Sequence, residues 1–466
     1  MTGQSSATGE TGESGSGLFV VGGVVKSIVS STDRQIVQDY LSSLLQVQNL
    51  VVLIGSGASM HLGSPAVRNL SNVKVGELIL ASGGDVTATD GALLALLNPL
   101  DQGDLEKLLN GLQLAESFAD QAGLELVTFG AVGEARSFPT SDIQSLRAKI
   151  NSALAFACKL PGPDSTLEDP LEAHRRFLSR LVRSRRSNLP RPKVFTTNYD
   201  LVVEKSLDEL GFPYIDGFSG TVNRKLNLAY YGLDFHRVET TSQQVVARAD
   251  NAIYFHKIHG SLNWRSRVAQ DVATGIETLE VYQVDEASTT KGSVLIYPTT
   301  AKEGDTLSYP YSDLMRLLGE AVQQSDTAII TLGYGYWDAH INRILLGALG
   351  MNPGINVLVT DPFAVMDADT VRVATERPDI VGMRLAEAGL SLKATPVASL
   401  AVGSDSRIAV LTGRAGEFTE VAKLMPDPSI GSSMSTPAGI VQLIESLGLE
   451  PKLSGAPGAI PETERV

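Results

Sequence analysis

The chain has 466 residues, 43% hydrophobic and 19% charged, a mix that suits a soluble globular protein able to bury a sizeable core. Its formal net charge of −14 argues against broad nucleic-acid binding, so no direct nucleic-acid contact is expected. Its single cysteine, Cys158, excludes an internal disulfide and a multi-cysteine zinc site built from this sequence, and fits a reducing, cytoplasmic setting.

Residues 1–17 are Gly, Ser, Thr and Glu with little apolar content, which predicts a disordered tail and no signal peptide. No apolar run reaches the length of a membrane span. A helix is predicted over "STDRQIVQDYLSSLLQVQ", with Ser31 or Thr32 as cap and Ile36, Tyr40, Leu41 and Leu44 on one face. "NLVVLI" then reads as a strand running into the small-residue turn Gly55-Ser56-Gly57-Ala58-Ser59. Residues 76–161 read as mostly helical. "DPLEAHRRFLSRLVRS" is a further helix, capped by Asp169 with Pro170 at its first position. Its basic end, "RSRRSNLPRPK", complements the helix dipole better than it fits a nucleic-acid patch, because no aromatics are interleaved.

"VFTTNYD" (194–200) is an apolar strand ending in an amide, a phenol and a carboxylate. A helix over "LVVEKSLDELG" follows, ending at Gly211, then strands over "IYFHKI" and "GSVLIYPTT" and a helix over "YSDLMRLLGEAVQQ" with Ser312 as cap. "TAIITLGYGYWDAHINRILLGAL" is strand, turn and helix, with Asp338 as a cap. "INVLVTDP" is a strand ending in Asp361, and "RIAVLTGRAGEFTEVAKLM" repeats strand, Gly turn and helix. Residues 426–466 are Pro-, Gly- and Ser-rich, with a short helix near "AGIVQLIESLG". Alternation of strands and helices predicts an α/β fold: a mainly parallel, Rossmann-like sheet with helices on both faces and a helical insertion, spanning residues 18–425.

In such a sheet the strand ends gather at one edge, where ligands bind. Four of them carry polar or glycine-rich sequence: Gly55–Ser59, Thr197–Asp200, Gly333–Gly335 and Thr360–Asp361. The first turn lets backbone N–H groups approach an anion, aided by the N-terminus of a following helix. The third glycine of G-x-G-x-x-G falls on Met60, so the dinucleotide fingerprint is incomplete, and there is no Walker lysine. A structural turn remains open for this stretch. Asp361 is either an acceptor for a ribose or adenine or a turn former before Pro362. His259, in "KIHG", is either a solvated turn residue or a general base. His256 three residues earlier has no H-E-x-x-H around it, so a metal site is rejected.

In order, G-S-G-A-S, T-T-N-Y-D, K-I-H-G and G-Y-G-Y-W-D-A-H-I resemble the sirtuin-like family, and in detail the bacterial sirtuin-like branch found in antiphage defence, over about residues 45–365. The resemblance implies NAD as substrate, with Asn198 holding the nicotinamide ribose or an attacking water and His259 as general base. It implies that Gly55, Ser56, Gly57, Ala58 and Ser59 line the pyrophosphate, with Thr197 beside the site and Asp200 bracing its loop. Gly333 and Tyr334 would face the adenosine. The four-cysteine zinc ribbon of deacetylase sirtuins is missing after the His-Gly, where "SLNWRSRVAQDVATGIETLEVYQ" stands, so no zinc is expected. "GSPAVR" keeps the Gly, Pro and Arg68 of the family's Gly-Ile-Pro-Asp-Phe-Arg but loses Asp and Phe. The expectation is an NAD glycohydrolase that depletes NAD in abortive infection, as a homo-oligomer with a separate HerA-type ATPase partner. A silent NAD or ADP-ribose sensor and a zinc-free deacylase are the alternatives.

Overall fold

The computed structural model describes residues 17–428 apart from 23, 65–71, 102–104, 131–134, 163–164, 239–245, 271–274, 286–292, 296–308, 337 and 365–404. Arg68, residues 1–16 and the helix expected near "AGIVQLIESLG" lie outside the described residues.

The chain opens with a hairpin of β1 (Gly17–Val21) and β2 (Val24–Ile28), two strands that hydrophobic periodicity does not assign. In α1 (Ser31–Leu45) the cap is Ser30, not Ser31 or Thr32. The Ser30 hydroxyl accepts from the Asp33 N–H at 3.2 Å, and Asp33 Oδ2 accepts from the Ser30 N–H at 2.9 Å, so each residue satisfies the other's free donor.

After β3 (Asn49–Ile54) and a 3-10 turn over Ser56–Leu62 come α2 (Asn72–Ala81), α3 (Ala88–Asp101) and α4 (Leu105–Ala122). The hairpin β4 (Leu126–Phe129) and β5 (Arg136–Pro139) and then α5 (Thr140–Ala157) complete this segment. It encloses an apolar core of its own, with Leu93, Leu112, Ile143 and Ile150 fully buried.

Next are α6 (Glu172–Arg183), β6 (Lys193–Thr196), α7 (Val202–Leu210), β7 (Tyr214–Ile215), β8 (Phe218–Ser219) and β9 (Lys225–Leu226). The run continues with β10 (His236–Val238), β11 (Val246–Arg248), β12 (Ile253–Lys257), β13 (Gly260–Gln270), β14 (Glu277–Gln283) and β15 (Ser293–Leu295). The last elements are α8 (Tyr311–Val322), β16 (Thr327–Leu332), α9 (Ala339–Met351), β17 (Ile355–Thr360), β18 (Ile408–Gly413) and α10 (Phe418–Leu424). Two expected caps are not formed. α6 begins after Leu171 with no side-chain cap, and Asp169 instead pairs with Arg175. α8 begins after Pro310, without a cap from Ser312.

Nine strands form one sheet in the order β2-β1-β18-β17-β16-β3-β6-β12-β7. From β18 to β7 every pairing is parallel; β1 runs against these strands, and β2, antiparallel to β1, runs with them. Taken in chain order, β12-β6-β3-β16-β17-β18 is the 3-2-1-4-5-6 order of a Rossmann sheet, whose direction of growth reverses between β3 and β16. Period-two alternation builds the layers. Leu50, Val52 and Ile54 of β3 pack on one face with residues of α1, α6, α7 and α10, while Val51 and Leu53 pack on the other with α8 and α9. A second, antiparallel sheet of order β15-β13-β14-β9-β8 draws its five strands from between Phe218 and Leu295.

The basic stretch at the end of α6 is built into the structure. Arg185, buried, donates to the carbonyls of Leu45, Val47, Gln48 and Pro190 and so ties off the turn between α1 and β3. Arg180 donates to the carbonyls of Lys423 and Met425, and Arg191 pairs with Asp234. These groups bind backbone and carboxylates rather than only balancing the helix dipole.

Candidate active site

One row of paired residues crosses the sheet: Lys257, Thr196, Ile54, Leu332, Thr360 and Leu411 are successive partners. One residue beyond this row stand Thr197, Gly55, Gly333 and Asp361. Two residues beyond stand His259, Asn198, Ser56 and Tyr334. Parallel register therefore brings candidate residues far apart in sequence to one edge, on both sides of the point where the strand order reverses.

At that point the two glycine turns touch. Gly55 N–H donates to Leu332 O and Gly57 N–H to Gly333 O, each at 2.9 Å, and Ala58 N–H donates to Gly55 O at 3.0 Å. A Cβ on Gly57 would lie 2.7 Å from Gly333 Cα, and one on Gly333, whose φ is +57°, would lie 2.1 Å from Ala58 N. The turn opens a 3-10 helix of seven residues rather than an α-helix. The N–H groups of Gly55, Gly57 and Ala58 are thus used inside the protein. The expected role of this turn as a cradle of donors is narrowed to its other backbone groups and to Ser59.

Ser59 faces the "TTNYD" loop. Asn198 Nδ2 donates to Ser59 Oγ at 3.3 Å, and the Asp200 carboxylate receives hydrogen bonds from Ser59, Asn198 and the Val202 N–H. An acceptor-only carboxylate fixes which end of the amide faces it. The Asn198 nitrogen is turned inward, and its Oδ1 is buried with no hydrogen-bond partner. A buried carbonyl oxygen in that state costs about 1–3 kcal/mol, so it is a ready acceptor for an O–H group. Burial pushes the Asp200 carboxyl above its usual range, against the opposing pull of Lys257 and these hydrogen bonds.

Lys257 clamps the loop from the neighbouring strand. Its ammonium, 3% exposed, donates to the carbonyls of Tyr199 and Asp200 and to Glu204 Oε1 at 2.8 Å. Leu262 N–H donates to Tyr199 O at 3.0 Å, which brings the segment after His259 against the same loop. Ser261 Oγ there is buried and without a partner.

His259 is nearly buried. Its Nε2 lies 3.1 Å from Oδ2 of Asp338, itself 6% exposed. The other oxygen, Oδ1, accepts from the N–H groups of His340 and Ile341 at 3.1 and 3.4 Å and caps α9. The sequence reading takes Asp338 only as that cap. Tyr334 OH reaches Asn342 Oδ1 at 3.3 Å, and Tyr334 is 5% exposed. Asp361 accepts from the Phe363 N–H at 2.9 Å, a turn former's bond, and burial raises its carboxyl above the usual range. His256 is no part of the site. It is stacked between Phe195 and Tyr231 at 4.3 and 4.2 Å, and burial lowers its pKa to about 3, so it is neutral.

A small surface recess lies instead beyond β18, lined by residues including Gly17, Arg34, Arg414 and Glu420. It contains none of the candidate residues, and Glu420 there is already paired with Lys423 at 2.7 Å.

Residues 192–380 match the family model of the SIR2-like domain. The matched segment runs from β6 through β17 and takes in Thr197, Asn198, Asp200, His259, Gly333, Tyr334, Asp338 and Asp361, while Gly55–Ser59 lie upstream of it. No curated protein sequence matches the chain. A crystal structure of a SIR2 homolog in complex with NAD is 12% identical over 88% of this chain and 94% of that one. Its TM-score is 0.28, too low for the likeness to bear on the site. Among the described residues no helix is long and apolar enough to cross a membrane.

Proposed function

We propose that this protein is an NAD glycohydrolase, cleaving the bond between nicotinamide and ribose to give nicotinamide and ADP-ribose. The observation that carries the reading is that Asn198, whose buried Oδ1 has no partner, and His259 each stand two residues beyond the paired Thr196 and Lys257 of neighbouring strands. The order of the four motifs and the match to the SIR2-like domain support NAD as the substrate.

In this reading Asn198 Oδ1 accepts from a ribose hydroxyl or from the attacking water. As the C1′–N bond breaks, its electron pair moves to the cationic nicotinamide ring and neutralises it. The ribose carries oxocarbenium character at that moment, as in other glycoside cleavages. Water adds to C1′ and gives its proton to the His259 imidazole, a general-base step of the kind worth about 10²–10⁴-fold in rate. Asp200 and Lys257 hold the loop that aims Asn198. Asp361 and Tyr334 stand on the far side of the β3–β16 crevice, where the adenosine half would reach.

Water is favoured as acceptor over an acyl-lysine because β13 and β14 form an antiparallel sheet where the cysteine ribbon of deacetylase sirtuins would stand. An enzyme that consumes NAD must be held off until needed. We therefore assign it the role of a cytoplasmic antiphage effector acting by abortive infection, assembled as a homo-oligomer and controlled by a separate partner such as a HerA-type ATPase. The test is chromatography of NAD incubated with the purified, fully assembled protein. Equal release of nicotinamide and ADP-ribose is expected. Binding without turnover would support an NAD or ADP-ribose sensor instead, and turnover only with an acylated peptide would support a deacylase.

A further inference from the structure

Resting on the reading above, we infer that Asp338 is a positioning residue for His259, fixing the imidazole through Nε2 so that Nδ1 is the nitrogen that takes the proton. The single Asp338 carboxylate has two tasks. Oδ1 is engaged by the first free N–H groups of α9, at 3.1 and 3.4 Å, and Oδ2 lies 3.1 Å from His259 Nε2. A carboxylate offers only lone pairs to this nitrogen, so the proton on the neutral ring belongs on Nε2. The basic lone pair is then on Nδ1.

The capping bonds turn this into a rigid support. Oδ1 cannot swing toward His259 without releasing the helix N-terminus, so the position of Oδ2 is set by α9 itself. His259 follows β12 and precedes Gly260 (φ +91°) at the start of β13, so its backbone is held by sheet on both sides. Both side chains are nearly buried, at 10% and 6% exposure, so the contact is shielded from bulk solvent. When water gives its proton to Nδ1, the ring becomes a cation and Asp338 stabilises it without taking the proton. An aspartate likewise orients a catalytic imidazole in hydrolase triads, there through Nδ1 with Nε2 as the base.

The cap and the orienting role separate by substitution. Asparagine and serine both cap helices well, so Asp338→Asn and Asp338→Ser keep the helix start. Asparagine presents a neutral amide to Nε2, and serine does not reach it. With the full-length assembled protein, both variants are expected to lower kcat for NAD cleavage on the order of 10²–10⁴-fold, with KM within about threefold and the thermal midpoint close to wild type. Near-wild-type kcat in both would overturn the assignment.

An independent reading comes from ¹⁵N NMR of histidine-labelled protein, with His259→Ala assigning the resonance. The expected result is the Nε2–H tautomer in wild type and a shift toward Nδ1–H in Asp338→Asn. A wild-type Nδ1–H tautomer would overturn the assignment even if the variants proved too unstable for kinetics. Failure of the NAD reading shows differently, as a wild type that leaves NAD intact while its His259 tautomer still reports on Asp338.

Discussion

The N–H of Gly57 donates to the carbonyl of Gly333 at 2.9 Å, joining two turns that follow neighbouring strands at the point where the sheet changes direction. Nothing larger than hydrogen fits at Gly333, because a Cβ there would lie 2.1 Å from Ala58 N and φ is +57°. Gly333→Ala should therefore cost about 2–4 kcal/mol, from the backbone strain and the overpacking together. Urea unfolding measures it. A loss below about 1 kcal/mol would mean that the turns separate easily.

Lys257 is the ion on which the "TTNYD" loop depends. Lys257→Met leaves the mostly covered Glu204 carboxylate and the Tyr199 and Asp200 carbonyls without their buried ammonium, at a cost of about 3–5 kcal/mol. Burial already raises the Asp200 and Glu204 carboxyls above their usual range, and Lys257 opposes that. A carboxyl with a raised folded pKa binds more protons in the folded state, so stability falls as pH rises through that range. Removing Lys257 raises both carboxyls further. The destabilisation measured at pH 8 should exceed that at pH 5, and the reverse order would contradict the ion-pair role.

Two buried histidines make the fold acid-sensitive. Burial, with a smaller contribution from His61, lowers His174 to about 3, and burial lowers His256 to about 3. The unfolded chain binds these protons near pH 6.5 and the folded chain does not. Stability should fall as pH drops below 6.5, by about 2 kcal/mol per histidine at pH 5. His174 lies 4.4 Å from the ring of Phe418, and both its nitrogens lack partners. His174→Phe should keep the fold and remove one histidine's share of the acid slope. An unchanged slope would rule out that share.

Arg185 binds four carbonyls around the turn before β3, far from the strand-end edge. Arg185→Ala should cost about 2–4 kcal/mol, since buried acceptors lose charge-assisted bonds. Turnover per folded molecule should be unchanged. Differential scanning calorimetry with an NAD assay at 15 °C separates the two effects.

The six parallel strands β3, β6, β12, β16, β17 and β18 were legible because parallel strands buried on both faces are continuous apolar runs, as in "NLVVLI", "TAIITL" and "INVLVT", whereas β1, β2 and the two-residue β7 were not. Gly55, Thr197, Gly333 and Asp361 could be picked out because polarity changes abruptly where each run ends. The pattern does not show register, which alone sets Asn198 level with His259. It also hides the partner of a group. The Gly55–Ser59 turn reads as a set of free donors, but Gly333, Leu332 and Gly55 itself take three of them. Asp338 reads as a cap because capping is local, while its contact with His259 needs β12 and β16 to be folded on either side of β3 and β6. Lys257 sits in "KIHG" with nothing beside it to signal burial. Ser30 is missed as a cap because its partner, Asp33, lies inside a run that already looks helical.

The most direct test is single-turnover cleavage of NAD by the assembled wild type beside Asn198→Ala and His259→Ala, with NAD binding measured on each by calorimetry. Wild-type cleavage, lost on the order of 10²-fold or more in both variants while binding persists, is the predicted result. Undiminished cleavage by either variant, or binding without cleavage by wild type, would contradict it.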